Sequence, residues 1–300
     1  MGDFVVTLPA LRLWRRRHDG ADLFLVARSG VAPLADPRRT VDHDGLGMAP
    51  LYLPDCPELP TVLRPLASSP CLLAYAVDPE GVLQANLHRL LPSRVLVHDP
   101  RPPDGFAGHV TDHLMAPLVG PDLPLTSEDL EPRVHVEPEE ASRAAAWLQS
   151  SGLSAPLVAL HPGSGAARKN WPLDRFAALA DRLQERGLQP VWILGPLEEQ
   201  TRKEAGCRPC LPPGTARELA AFLAQVDLFV GNDSGPGHLA AAVGTPTLSL
   251  FGPTDPALWR PRSRLGRVLQ APGGCLAQLT MDVVVEAAVA CMEGEPGAGR

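Results

Sequence analysis

The stretch from Gly231 to Pro256, GNDSGPGHLAAAVGTPTLSLFGPTDP, constrains this chain's fold more than any other. Asp227 to Val230 reads as a strand. It runs into the tight polar turn Gly231-Asn232-Asp233-Ser234-Gly235, and a short small-residue helix follows at about Gly237 to Val243. A second strand, Thr247 to Phe251, ends in another turn, Gly252-Pro253-Thr254-Asp255-Pro256. A strand, a Gly/Ser turn and a helix start in this order bring unpaired backbone N–H groups and the positive end of a helix dipole to one point, where an anion can bind. Asp233 and His238 add polar side chains at the same mouth.

The rest of the chain agrees with an α/β layer. Leu157 to Leu160 reads as a strand ending in His161-Pro162-Gly163-Ser164-Gly165, followed by the basic turn Arg168-Lys169-Asn170-Trp171-Pro172. Leu173 to Arg186 has the apolar spacing of an amphipathic helix, with Pro172 at its start and Gly187 just past its end. Pro190 to Leu194 is the next strand and leads into Gly195-Pro196-Leu197-Glu198. Thr215-Ala216-Arg217-Glu218 is a capping box that opens a helix through Gln225, and Val283 to Met292 closes the set. Strands alternating with helices predict a doubly wound parallel sheet, which binds ligands outside the carboxyl ends of its strands.

The first half carries fewer signals. Ala21–Ala27, Cys71–Val77 and Arg94–His98 are expected strands, and His109–Leu118 an expected helix. An N-terminal helix with Pro9 in its first turn carries Arg12, Arg15, Arg16 and Arg17 on or after it. Residues 121–138 hold four prolines and no period. They are read as the linker between an N-terminal domain, 1–136, and a C-terminal one, 137–300.

A net charge of −7 argues against a nucleic-acid partner. No apolar run reaches the roughly 18–20 residues of a membrane span, and Asp3 and Pro9 interrupt anything like a signal peptide, so a cytoplasmic location is expected. The six cysteines are too scattered for a disulfide scaffold. The chain has no G-x-x-x-x-G-K-[ST], no dinucleotide G-x-G-x-x-G, no G-x-S-x-G and no H-E-x-x-H. Instead, three ligand-type turns at successive strand ends supply Lys169, Asp233 and Glu198. They are read as a site for a nucleotide-diphosphate sugar, with the Gly231–Gly235 turn at its diphosphate end.

HPGSGAARKNWPLDRFAALADRL, GPLEEQ and GNDSGPGHLAAAVGTPTLSLFGPTDP together resemble glycosyltransferase family 9, the ADP-heptose:lipopolysaccharide heptosyltransferases. GDFVVTLPAL resembles that family's Gly-Asp…T-x-P-A-L segment, and HVTDHL its mid-domain His-x-x-Asp-x-x-Leu pattern. The resemblance implies a GT-B fold, two Rossmann-like doubly wound domains facing across a cleft. The donor would sit on the C-terminal domain and the acceptor on the N-terminal one. It also implies an inverting reaction with no metal and no cofactor.

Carried over by position, Asp3 matches the catalytic base and Lys169 a donor-phosphate lysine. Asp233 matches a carboxylate near the sugar. Ser234 and Gly235 match the phosphate-facing turn, and His238 a residue lining it. Glu198 stands near the family's ribose-binding Glu, and Ser164 belongs to the small-residue turn of the donor site. The resemblance begins at the turn that follows the family's first strand, so that strand is expected to be missing, either through a start assigned too late or through its loss.

The implied partners are a nucleotide-diphosphate sugar and a glycan or lipid-linked acceptor. Peripheral contact with the inner membrane face is left open. The alternatives are a nucleotide-sugar epimerase or hydrolase of GT-B type, and a non-catalytic nucleotide-sugar binder.

Overall fold

A computed structural model describes residues 1–19, 22–44, 46–120, 124–195 and 208–293. The chain forms two compact units. One comprises Met1–Leu8 with Ser127–Arg300, the other Pro9–Thr126. The division therefore falls ten residues before the expected 136/137 boundary, and the first eight residues group with the C-terminal part. Long-range bonds explain the first difference. The Val134 N–H donates to the Ala242 carbonyl at 2.9 Å, and Arg217 reaches the His135 carbonyl at 2.9 Å. Proline-rich sequence alone marks a linker without saying which unit it lies along.

In the smaller unit, β1 (Phe24–Ala27) pairs in parallel with β2 (Arg39–Asp42), and β3 (Cys71–Tyr75) with β4 (Arg94–His98). Helices α2 (Leu8–Arg17), α3 (Val82–Leu90) and α4 (Val110–Met115) accompany them. The core is aliphatic, built from Leu51, Leu63, Leu66, Leu83, Leu87, Leu91 and Val95. The His-x-x-Asp pattern at 109–112 is the start signal of α4. His109 Nδ1 accepts from the Thr111 N–H at 3.1 Å, and Asp112 accepts from the His109 N–H at 3.2 Å.

The larger unit opens with a one-turn helix, α1 (Gly2–Val5). It then carries α5 (Pro138–Ser150), α6 (Leu173–Gln184), α7 (Ala216–Leu223), α8 (Gly235–Ala242), α9 (Pro256–Trp259) and α10 (Met281–Met292). Its strands are β5 (Leu157–His161), β6 (Gln189–Ile193), β7 (Cys210–Leu211), β8 (Leu228–Asn232), β9 (Thr247–Phe251) and β10 (Gly266–Gln270). They form one parallel sheet in the order β10-β9-β8-β5-β6-β7.

Every residue of β5, β8 and β9 is buried, as a sheet covered on both faces requires. Trp171, Phe176, Leu179, Leu183 and Trp192 pack there with Val284, Val285 and Ala288. The Thr215–Glu218 capping box is present as the sequence predicts. Thr215 Oγ1 accepts from the Glu218 N–H at 3.2 Å, and Glu218 Oε2 accepts from the Thr215 N–H at 2.7 Å.

Candidate functional site

From β5 the chain moves outward through β6 and β7. It then returns to the other side of β5 and moves outward again through β8, β9 and β10. The order reverses between β5 and β8, so a crevice opens at their carboxyl ends, where open α/β sheets bind ligands. His161 and Gly231 stand in register there. No side chain fits at Gly231, since a Cβ would lie 2.9 Å from the His161 carbonyl oxygen and 2.8 Å from the Phe229 ring. The two Gly/Ser turns picked out in the sequence therefore start side by side.

Across this crevice Lys169 Nζ donates to Asp233 Oδ2 at 2.7 Å, joining residues 64 positions apart. Asp233 is buried, with 8% of its side chain exposed against 27% for Lys169. The pair is thus shielded from bulk water yet open on the ammonium side. Only two lysines, Lys169 and Lys203, stand in the whole sequence.

Ser234 is the N-cap of α8 but makes no side-chain cap bond, and its hydroxyl is buried with no hydrogen-bond partner among the described residues. Pro lies in the first turn of α8, so Gly235 and Gly237 supply that turn's remaining free N–H groups. A buried hydroxyl without a partner costs about 1–3 kcal/mol, which a ligand oxygen would relieve.

Helix α1 packs on this turn. A Cβ at Gly235 would lie 2.9 Å from Met1 Cβ and 3.0 Å from the Gly2 nitrogen, and one at Gly2 would touch Gly235 and the His238 ring at 3.4 Å. His238 is buried. Asp3 lies exposed in the first turn of α1, one residue beyond that contact. The structure thus brings Asp3, Lys169, Asp233, Ser234, Gly235 and His238 into one unit, whereas the sequence assigned Asp3 to the other domain.

Ser164 serves its own loop. Its hydroxyl lies 2.8 Å from the Ala166 carbonyl and 2.6 Å from Asn170 Oδ1. Glu198 lies outside the described residues. Asp255 is the turn former the sequence suggests, capping α9 through the Ala257 N–H at 2.8 Å.

The sequence reading missed a cavity of about 380 Å³ beside the crevice. Trp147 and Phe222, ring centroids 5.7 Å apart and edge to face, form its apolar wall, while Glu140, Arg143 and Glu218 stand at its polar side. His161 and Pro236 also line it, so the cavity adjoins both ligand turns. The Arg217 guanidinium beside Glu140 holds that carboxyl below its usual range, and the Glu137 backbone N–H adds to this against the opposing effect of burial. Among the described residues, no group of three or more His, Cys, Asp or Glu side chains could hold a metal ion.

The family model of glycosyltransferase family 9 (heptosyltransferase) matches residues 110–288, more than half of the chain. The chain belongs to glycosyltransferase family 9. It is 39% identical over 126 residues to lipopolysaccharide heptosyltransferase 3 of Escherichia coli K12; the match covers 38% of this chain and 36% of that protein. The family 9 chain thus spans about a third of that curated relative's length.

Two solved structures are similar along nearly the whole chain. ADP-heptose lps heptosyltransferase II of E. coli gives a TM-score of 0.75 at 20% identity, covering 98% of this chain and 96% of that one. E. coli heptosyltransferase WaaC with ADP gives 0.70 at 20% identity, with 97% of each chain covered. These likenesses show the α/β fold of the GT-B class that the sequence predicts. No helix among the described residues is long and apolar enough to cross a membrane.

Proposed function

We propose that this family 9 protein is an inverting, metal-independent glycosyltransferase. It would move a heptose or related sugar from an ADP-heptose-like donor to a lipopolysaccharide core or similar glycan. The observation that carries this reading is the crevice between β5 and β8. There the Lys169–Asp233 pair at 2.7 Å adjoins the buried Ser234 hydroxyl at the start of α8, which has no partner among the described residues. One relative is described as an ADP-heptose enzyme and another was solved with ADP, which supports a diphosphate as the anion and the neighbouring cavity as the nucleoside's place.

In the proposed reaction an acceptor hydroxyl oxygen attacks the anomeric carbon from the face opposite the diphosphate. The carbon–oxygen bond to ADP breaks, and the hydroxyl proton passes to Asp3 as general base. Charge growing on the leaving diphosphate is met by Lys169, by the Ser234 hydroxyl and by the first-turn N–H groups of α8. Asp233 faces the sugar, with His238 lining the same turn. A lipid-linked acceptor implies work at the cytoplasmic face of the inner membrane.

The test is product analysis after incubation with ADP-heptose and a heptose-deficient acceptor in the presence of a chelator. The reading requires equal amounts of ADP and heptosylated acceptor, with inverted anomeric configuration by NMR. Asp3→Asn should abolish transfer while ADP still binds. Free heptose, or an epimerised donor formed without acceptor, would instead make the protein a hydrolase or an epimerase.

A further inference from the structure

At the bottom of the crevice lies Asn232, the last residue of β8, fully buried. Its Nδ2 donates to the Pro162 carbonyl at 2.6 Å, reaching across the switch point to the turn after β5. Its Oδ1 accepts from the Trp171 N–H at 3.0 Å, reaching the segment that precedes α6. An amide is the side chain of this size that offers a donor and an acceptor at once. A carboxylate would face the Pro162 carbonyl with no proton, and Leu would leave both backbone groups unpaired in a buried site.

Both partners of the ion pair hang from this amide. Asp233 is the next residue, and its own N–H is fixed to the Leu250 carbonyl at 3.1 Å. Lys169 stands two residues before Trp171. That residue is itself anchored, being buried, with its indole N–H donating to the Leu279 carbonyl at 3.2 Å and its ring set edge to face on Phe176. The 2.7 Å contact between Lys169 and Asp233 is therefore set from below by two Asn232 bonds, each joining segments more than 60 residues apart.

We propose that Asn232 is a positioning residue. It touches no ligand, but it locks the turn after β5, the segment before α6 and the turn after β8 together, so that Lys169 and Asp233 present one fixed charge arrangement to the anion. This rests on the donor reading of the crevice for its functional meaning, and its geometric part can be read without any ligand.

The scarcity of lysine supplies that readout. In ligand-free protein, Lys169 held against Asp233 should react slowly with a water-soluble amine-acylating reagent, with Lys203 as the internal reference in mass spectrometry. Asn232→Leu should raise the Lys169 rate several-fold at an unchanged Lys203 rate. Asn232→Asp keeps the acceptor for Trp171 and removes the donor to Pro162; it should also raise the rate and serves if the Leu variant fails to fold.

The second arm is ADP affinity by calorimetry for wild type, Asn232→Leu, Lys169→Ala and the double variant. If Asn232 acts through Lys169, its loss weakens ADP by about tenfold or more. The double variant then binds no worse than Lys169→Ala alone. An unchanged Lys169 rate in the folded variants, or losses that multiply in the double variant, overturns the proposal. Altered labelling in a protein whose wild type ignores ADP supports the positioning role and counts against the donor reading alone.

Discussion

The two units use the same parallel strand pairing to different degrees. In the larger unit β5, β8 and β9 are buried along their whole length, and six strands among the described residues share one sheet. In the smaller unit the strands stand in pairs, and every residue of β1 and β3 is only half-buried despite apolar sequences such as CLLAY. A strand packed on both faces cannot shift its carboxyl end without disturbing a close-packed core. That places the turns after β5 and β8 on a rigid scaffold, the condition for holding charged groups to within a fraction of an ångström.

The largest expected effect tests that difference in packing. Phe176→Ala, at a fully buried ring, should cost about 3–5 kcal/mol. Leu73→Ala on half-buried β3 should cost only about 1 kcal/mol, as part of the side chain is already in water. Urea titration read separately for each unit checks this, and equal losses would break the comparison. Next comes Gly235→Ala. The added Cβ meets the Gly2 nitrogen, a backbone atom with nowhere to go, so α1 must move off α8 at a cost of about 1–3 kcal/mol. Faster hydrogen exchange confined to residues 2–6 and the start of α8 is the expected sign.

Glu140→Gln should be milder. It weakens a largely buried bond to Arg217 in the larger unit, at about 1–2 kcal/mol. A thermal melt at neutral pH measures it.

The smallest effect is in acid, where the two units should part. Burial, and then the charge of neighbouring His113, lower the pKa of His98 in the smaller unit; a backbone hydrogen bond with His113 and the Asp99 charge oppose this. A histidine with a lowered pKa is favoured in its neutral form by the fold, so its contribution is intact above its unfolded value of 6.5 and falls as pH drops below it. Glu140 in the larger unit is also depressed, from 4.5, so its contribution holds above that value and is lost only as pH falls through its folded pKa. Histidine NMR and unfolding curves between those pH values should show the smaller unit weakening first. His98→Gln should erase that early loss.

How much of this was legible in the sequence depends on the distance over which each feature is decided. The Thr215–Glu218 box, the turn at 231–235 and the apolar face of α6 are local, and the residues announce them. β10 was missed because Arg267 and Gln270 interrupt its apolar run, as suits a half-exposed edge strand. Asp3 groups with the larger unit and not with the first expected domain, since nothing in GDFVV says that α1 will pack on Gly235, more than 230 residues later. The cavity and the Asn232 bonds were illegible for the same reason, since each joins segments far apart in the chain. Lys169 and Asp233 could be named from their motifs and placed at one site, but only the folded chain shows that they pair directly.

Binding of a nucleoside diphosphate by the larger unit, through its β5–β8 crevice, is open to a single measurement. Calorimetry of ADP against wild type and Lys169→Ala at matched salt tests it most directly. Wild type should bind ADP saturably and one to one, and the affinity should fall roughly tenfold or more when the charged donor is removed, with the variant still unfolding cooperatively. Equal ADP affinity in the two proteins would contradict it.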